Sequence, residues 1–159
     1  MDNPVAKLNL RHPLHLCAVG LGSGLAPKAP GTFGTLAAIP FYLLLAQLPL
    51  WLYLAVLLLS FIFGIWCCNK ASQAMGVHDH GAIVWDEFVG YWITMTAVPL
   101  SPLAVGLGFV LFRVFDIWKP WPIKLLDKKV HGGFGIMIDD VLAGIFAAIC
   151  LQLILPVFA

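Results

Sequence analysis

Charged side chains are scarce in this sequence. Asp, Glu, Lys and Arg make up 11% of its 159 residues, whereas 61% are hydrophobic, and the mean hydropathy is +0.94. A soluble domain usually has about 25% charged residues, so this composition excludes an ordinary soluble domain and predicts an integral membrane protein. The 9 basic residues are too few and too scattered to follow a nucleic-acid backbone, so no nucleic-acid partner is expected.

Several catalytic signatures are also missing. No glycine-rich loop ends in Gly-Lys-Ser/Thr, which excludes a Walker nucleotide site. There is no Asp-x-Asp for an aspartyl nucleophile of the haloacid-dehalogenase type, and no Cys followed six residues later by Arg as in phosphotyrosine phosphatases. Neither Arg11 nor Arg113 precedes a proline, so the histidine-nucleophile lipid phosphatases are excluded, and the lack of Asp-Gly argues against a phosphotransferase of the CDP-alcohol type.

The charged residues that are present occur in three blocks, at residues 2–28, 70–87 and 113–140. The charge-free runs outside these blocks are residues 29–69, 88–112 and 141–159. A membrane-spanning helix needs about 20 apolar residues, so the first run is long enough for two spans and the last for one. The polar start of the chain is not followed by a cleavable apolar core, and no signal peptide is expected.

The middle run, 88–112, has two interpretations. It is either one span kinked at Pro99 and Pro102, or a short helical hairpin that turns between Val98 and Pro102. Basic residues in short loops prefer the cytoplasm, and only the hairpin places the basic residues before the first run and after the middle run on that side. We therefore predict an all-α, polytopic membrane helix bundle of about five membrane segments, with a short hairpin or re-entrant pair in the middle. Residues 1–159 would form this single integral-membrane domain.

Carboxylates collect at the borders of the charge-free runs. Asp86-Glu87 precedes the middle run, Asp116 follows it, and Asp139-Asp140 is expected to open the last span after a turn at His131-Gly132-Gly133-Phe134-Gly135. Charged groups at the edge of lipid are costly and usually have a function. The predicted topology brings these acids to one membrane face, where they would repel each other unless protons or cations were bound. An oxygen-only ligand set suits Mg²⁺, which also binds substrate phosphates.

Candidate groups for binding an anion accompany these acids. The glycine-rich segment 20–35 would let backbone N–H groups approach a phosphate, and a helix beginning near Thr32 would direct its positive end there. Lys28, Thr32 and Thr35 could add donors, although a flexible loop that enters the membrane also explains the glycines. Arg113 and Lys119 would neutralise phosphate oxygens. The pattern predicts phosphoryl transfer at a membrane surface.

Other interpretations give some of these residues a plainer role. His78-Asp79-His80 could ligate a transition metal, but a structural role is favoured because such a site needs at least three well-placed donors. Asp127 and its neighbouring lysines are typical of a solvated amphipathic connector. The competing function is a non-enzymatic small membrane transporter or assembly subunit, whose acids would lie at mid-span. Here the acids lie outside the charge-free runs, which favours an enzyme.

Four long motifs, together covering about residues 13–144, carry a family resemblance. They are Gly22-Ser23-Gly24-Leu25 with Pro30-Gly31-Thr32, His78-Asp79-His80-Gly81 through Ile83-Val84-Trp85-Asp86-Glu87-Phe88, Phe112-Arg113 with Asp116-Ile117-Trp118-Lys119-Pro120-Trp121-Pro122, and His131-Gly132-Gly133 with Gly135-Ile136-Met137-Ile138-Asp139-Asp140. In these motifs the chain resembles the bacterial phosphatidylglycerophosphatase A family. The resemblance implies Mg²⁺-dependent hydrolysis of phosphatidylglycerophosphate to phosphatidylglycerol and phosphate in the bacterial inner membrane. The predicted topology places the site on the cytoplasmic face of that membrane.

We assign roles to the individual residues on this basis. The proposed metal ligands are Asp86, Asp139 and Asp140, and either Glu87 or Asp116 would position or deprotonate the attacking water. The proposed substrate-binding residues are Lys28, Thr32, Arg113 and Lys119. A covalent aspartyl-phosphate intermediate is the alternative mechanism. The expected partners are the lipid substrate and the bilayer.

Overall fold

The computed structural model describes residues 3–158, and all regular structure within them is helical, which confirms the predicted all-α class. The α-helices are α1 (Pro13–Ala18), α2 (Pro30–Leu45), α3 (Leu50–Met75), α4 (Trp85–Thr94), α5 (Pro102–Trp118), α6 (Ile123–Lys129) and α7 (Gly132–Ile154). Short 3-10 segments occur at Pro4–Lys7, Gly20–Leu25 and Leu155–Phe158. The domain predicted for residues 1–159 therefore includes three terminal residues, 1, 2 and 159, that lie outside the described part.

Within residues 3–158, two helices are long and apolar enough to cross a membrane. They are α3, which contains an 18-residue window with a mean hydropathy of 2.3, and the stretch Gly132–Val157 with α7, which contains one with a mean hydropathy of 2.2. The 16 residues of α2 extend only about 24 Å at 1.5 Å per residue, which is less than the roughly 30 Å of a hydrocarbon core. Of the about five predicted membrane segments, the structure identifies these two as full-length candidates.

The middle charge-free run folds as two helices, α4 and α5, joined by residues 95–101. Gly90 of α4 lies against the ring of Phe112, whereas Met95, directly after the end of α4, lies against Gly108, earlier in α5. Because the contacts run in opposite order along the two helices, the helices are antiparallel. The run is therefore a hairpin and not a single kinked span.

Helix α7 packs against α3, α4, α5 and α6, and its glycines allow the closest approaches. A Cβ at Gly133 would collide with the carbonyl oxygen of Ile65 in α3, and a Cβ at Gly144 would collide with the backbone of Gly90 in α4. Small residues permit this kind of close backbone packing between membrane helices. The sequence of α7 thus positions it at the centre of the bundle.

The start of α7 corrects one expectation. His131-Gly132-Gly133-Phe134-Gly135 was predicted to be a turn, and Asp139-Asp140 was predicted to open the last span, but the helix already begins at Gly132. Packing against α3 explains the earlier start, since the N–H of Gly133 donates to Oδ1 of Asn69 at 3.3 Å. The two aspartates consequently lie about two turns inside the helix.

Polar ends of helices from distant parts of the chain meet at one end of the bundle. Thr35, near the start of α2, donates to Glu87, near the start of α4, at 2.9 Å, and Glu87 binds Arg113, near the end of α5. At the opposite end, the hydroxyl of Tyr53 donates to the carbonyl of Trp92 at 2.6 Å. This arrangement gathers the acidic residues at a single end, as the sequence pattern predicted.

Candidate active site

The first acidic pair lies in the first turn of α4, where the helix dipole favours negative charge. The preceding side chain, Trp85, anchors this turn, because its indole N–H donates to the carbonyl of Ser60 in α3 at 3.0 Å. Asp86 and Glu87 are both buried, with 7% and 8% exposure. Oδ1 of Asp86 accepts the backbone N–H of Glu87 at 3.0 Å. The pair is therefore fixed at the polar end of the bundle.

Glu87 is held by two donors from other helices. Its Oε2 accepts from the hydroxyl of Thr35 at 2.9 Å and from Nη1 of Arg113. The same Nη1 lies 2.6 Å from Oδ2 of Asp116, one turn further along α5. Arg113 thus links the start of α4 to the end of α5, and its side chain is only 13% exposed.

A glycine makes room for this ion pair. Gly31 lies in the first turn of α2, and a Cβ there would collide with Oε1 of Glu87 and lie 3.0 and 3.1 Å from the two terminal nitrogens of Arg113. Thr35, one turn later, lies on the same helix face. The motif Pro30-Gly31-Thr32 therefore allows α2 to pack closely against the acids. The helix begins at Pro30, two residues before Thr32, where it was predicted to begin.

Asp140 completes a group of three carboxylates. Oxygen atoms of Glu87, Asp116 and Asp140 all lie within 4.8 Å of one another. Asp140 is 3% exposed, and its Oδ2 has no hydrogen-bond partner among residues 3–158. A buried carboxylate oxygen without a partner is costly. The group therefore offers hard oxygen ligands in a place where a cation would be stabilising.

A second group of carboxylates surrounds Lys119. Its Nζ lies 2.6 Å from Oδ2 of Asp139 and 3.0 Å from Oδ1 of Asp127, and Asp79 joins these two acids within 4.8 Å. Burial by itself would lower the pKa of Lys119, but the carboxylates of Asp139 and Asp127 outweigh burial and raise that pKa above its usual range. Lys119 therefore stays protonated and joins the end of α5 to α6 and α7.

The acids assigned from the sequence are thus divided between two groups. Asp140 lies with Glu87 and Asp116, whereas Asp139 lies with Asp79 and Asp127. Asp86 belongs to neither three-acid group found among residues 3–158. Adjacent residues of a helix point about 100° apart, so α7 directs its two aspartates to different neighbours.

The predicted anion-binding residues have different surroundings. Arg113 and Lys119 are each bound between two carboxylates. Lys28 is exposed and Thr32 is partly buried, and neither is found in a side-chain hydrogen bond or ion pair within residues 3–158. The structure therefore places Arg113 and Lys119 against the acids. It shows no such contact for Lys28 or Thr32 within residues 3–158.

Three residues near the acids were missed or given a minor role. Thr35 was expected to donate to a phosphate, and its position beside Glu87 could have been found because it follows Gly31 by four residues and so shares its helix face. Asp79 lies between two histidines that accept hydrogen bonds from backbone N–H groups. His78 accepts the N–H of Gly132 at 3.0 Å, and His80 accepts the N–H of Ala82 at 3.1 Å. Asp127 belongs to a short basic helix, and nothing in its local sequence distinguishes it from a solvated side chain.

The comparisons with known proteins agree with the motifs. The family model for phosphatidylglycerophosphatase A matches residues 16–155. A phosphatidylglycerophosphatase A from Escherichia coli (strain K12) is 53% identical over 148 residues, which cover 92% of this chain and 86% of that protein. Its counterpart from Haemophilus influenzae (strain Rd) is 52% identical over 150 residues, covering 93% and 92%.

A third relative carries a different name. This protein from Bacteroides thetaiotaomicron is 42% identical over 142 residues, covering 84% of this chain and 88% of its own length, and is provisionally named a phosphatidylinositol-3-phosphatase. No solved structure matches the chain at a significant level.

Proposed function

Because this chain belongs to the phosphatidylglycerophosphatase A family, as its motifs predicted, we propose that it hydrolyses phosphatidylglycerophosphate to phosphatidylglycerol and inorganic phosphate. Membership makes the chain a phosphatase. The observation that carries the proposal is the group of Glu87, Asp116 and Asp140, whose oxygens lie within 4.8 Å of one another beside the guanidinium of Arg113. These residues fall within the matched region.

The donor set fits a magnesium ion. All three side chains offer oxygen, as Mg²⁺ prefers, and Oδ2 of Asp140 is buried without a partner in the described residues. We therefore place the metal on Glu87 and Asp140, with Asp116 beside it as the proton acceptor; of the ligands assigned from the sequence, Asp140 is retained, whereas Asp86 and Asp139 lie outside this group of three acids. When bound, Mg²⁺ supplies Lewis-acid polarisation of a phosphoryl oxygen and lowers the pKa of a bound water.

The protein's own residues would then position the reactants. Glu87 is held still by Thr35 and Arg113, whereas Asp116 binds Arg113 through Oδ2, which leaves Oδ1 to accept a proton from water. Water attacks the terminal phosphorus, the bond from phosphorus to the glycerol oxygen breaks, and the proton held by Asp116 becomes available to that oxygen. Arg113 and Lys119 neutralise substrate oxygens.

Further contacts to the substrate would come from residues at the start of α2. Lys28 is exposed immediately before this helix, and Thr32 lies in its first turn. Both belong to the segment that packs beside Glu87 through Gly31. We propose that they contact the departing phosphate.

We further propose that the site faces the cytoplasm from the bacterial inner membrane. The exposed lysines of α6, Lys124, Lys128 and Lys129, lie in the short connection between α5 and α7, and short basic connections prefer the cytoplasm. With α3 and α7 as spans, α2 and the hairpin of α4 and α5 would be shorter membrane segments, giving about five in total. The helices around the hairpin would shield its non-helical connection from lipid.

Phosphate release by the purified protein tests this function. Phosphatidylglycerophosphate, phosphatidate and phosphatidylinositol 3-phosphate are presented at equal mole fraction in detergent micelles, with Mg²⁺ or with a chelator. We expect release from phosphatidylglycerophosphate only with Mg²⁺, and loss of most activity in Asp140→Asn but not in the exposed control Lys124→Gln. Preference for another lipid would refute the substrate, and full activity in chelator would refute the metal.

A further inference from the structure

An apolar groove runs along the outward face of α5, directly beside the acids. Its lining consists of Phe109, Val110, Arg113, Val114, Ile117 and Trp118. All six residues belong to α5, so the groove is shallow and open along the helix, with a volume of about 660 Å³. Ile117 and Trp118 are 70% and 71% exposed, so the groove opens to the surroundings of the bundle.

Arg113 connects this groove to the carboxylates. Its side chain lines the groove, while its Nη1 binds Glu87 and Asp116. Its Nε is buried and has no hydrogen-bond partner among residues 3–158. A buried N–H without an acceptor costs free energy, and an anionic oxygen would be a favourable partner for a guanidinium.

Two other apolar grooves do not have this connection. One lies between α3, α4 and α7 and includes Leu54 and Ile149, and the other lies between α2 and α5 and includes Ile39 and Val105. Neither lining contains an Asp, Glu, Lys or Arg side chain. Of these three surfaces, the groove on α5 is the one that leads from an apolar face to the acids.

We propose that the lipid substrate occupies the α5 groove, with one acyl chain on Val110, Val114 and Ile117 and its phosphodiester at Nε of Arg113. The substrate would then enter sideways from the leaflet, and its terminal phosphate would extend past Arg113 to the carboxylates. The acyl chain covers apolar side chains, and the phosphodiester supplies the acceptor that Nε lacks. This inference rests on the proposed function and adds the path by which the lipid reaches the site.

Filling the groove tests the proposal through chain-length selectivity. Val114→Trp and, separately, Val110→Trp place a bulky side chain in the groove, and Ile149→Trp is the matched control because Ile149 is also exposed, at 55%, in a groove without charge. For each variant, kcat/KM is measured for dipalmitoyl and dihexanoyl phosphatidylglycerophosphate in the same micelles. We expect the ratio of long to short substrate to fall about tenfold in the two α5 variants, equivalent to about 1.4 kcal/mol, and to stay constant in the control. An unchanged ratio in the α5 variants, or an equal fall in the control, would overturn the proposal.

Photocrosslinking of the unmodified protein gives a second measurement that does not need turnover. The probe is phosphatidylglycerophosphate with a diazirine in one acyl chain, and crosslinks are mapped with and without excess unlabelled substrate. The proposal predicts that competition reduces crosslinks to residues 109–118 but not to residues 145–152. Equal crosslinking of both segments, or no effect of competition, would contradict it. If the protein bound the probe in α5 but released no phosphate, the proposed function would fail while the groove would stand.

Discussion

Replacing Gly31 by alanine would insert a methyl group between α2 and the ion pair of Glu87 with Arg113. The added Cβ would lie 3.0 and 3.1 Å from the terminal nitrogens of Arg113 and would overlap Oε1 of Glu87. To reach an ordinary contact distance, Oε1 would have to move by about 1 Å. A free glutamate could move at little cost, but the other oxygen of Glu87 is held by Thr35 and Arg113.

The expected loss of activity follows from that displacement. Misplacing a catalytic group by about 1 Å can reduce a rate by about 100-fold, which corresponds to about 2.7 kcal/mol in the activation free energy. We therefore expect Gly31→Ala to lower kcat/KM for phosphatidylglycerophosphate by about 100-fold. Phosphate release in micelles measures this effect, and thermal unfolding in the same detergent measures stability.

Gly106→Ala is the matched control. Gly106 lies in α5, is exposed, and has open space where a Cβ would be added. Alanine in a helix interior is usually more stable than glycine by about 0.5–1 kcal/mol, so this variant should keep its activity and unfold at the same or a higher temperature. If Gly31→Ala were as active as Gly106→Ala, close packing of α2 against Glu87 and Arg113 would not be needed for the reaction. That result would refute a catalytic role for this contact.

Two further substitutions test the contacts around the acids. Thr35→Val removes the hydroxyl that donates to Glu87, a hydrogen bond worth about 0.5–1.5 kcal/mol. The value of kcat/KM should therefore fall by about two- to twelvefold, and Thr35→Ser should recover most of it. Equal rates in the Val and Ser variants would contradict this role. Lys119→Met leaves Asp139 buried without its cation, and because Lys119 is partly exposed we expect a loss of about 1–3 kcal/mol in the free energy of unfolding, between the values for exposed and buried pairs. Since the pKa of Lys119 is raised in the folded protein, its contribution is fully present below the unfolded pKa of about 10.4 and is lost only as pH rises through the raised folded value. Denaturant unfolding of both proteins at about pH 7 should therefore show this loss, and equal stability of the two proteins would contradict the ion pair.

The helical fold could be predicted from the distribution of charge because lipid requires backbone groups to be satisfied within each segment. Residues 88–112 were expected to turn near Pro99, and the structure places the connection there. The number of full spans could not be predicted, because the length of α2 depends on where packing against other helices begins and ends it. The start of α7 depends in the same way on contacts of Gly133 with Asn69 and Ile65, far away in the sequence.

The convergence of the acids was also predictable, whereas their grouping was not. Which neighbours Asp139 and Asp140 meet depends on the rotation of α7 about its axis, which the charge-free run after them does not determine. The role of Lys119 as a link between Asp127 and Asp139 likewise depends on the placement of the short helix α6. The pattern of charges along the sequence predicts the end of the bundle at which a charged side chain lies. It does not predict which other side chain will contact it.

Binding of a divalent cation by Glu87 and Asp140, beside Asp116, can be measured directly. Electron paramagnetic resonance of Mn²⁺, a paramagnetic substitute for Mg²⁺, gives the affinity of the purified protein without any turnover. We predict that Asp140→Asn weakens Mn²⁺ binding by at least about tenfold, while Asp79→Asn, a change of the same kind in the other acidic group, retains this site. Equal affinity in the wild type and Asp140→Asn would contradict the metal site on which this account of the enzyme depends.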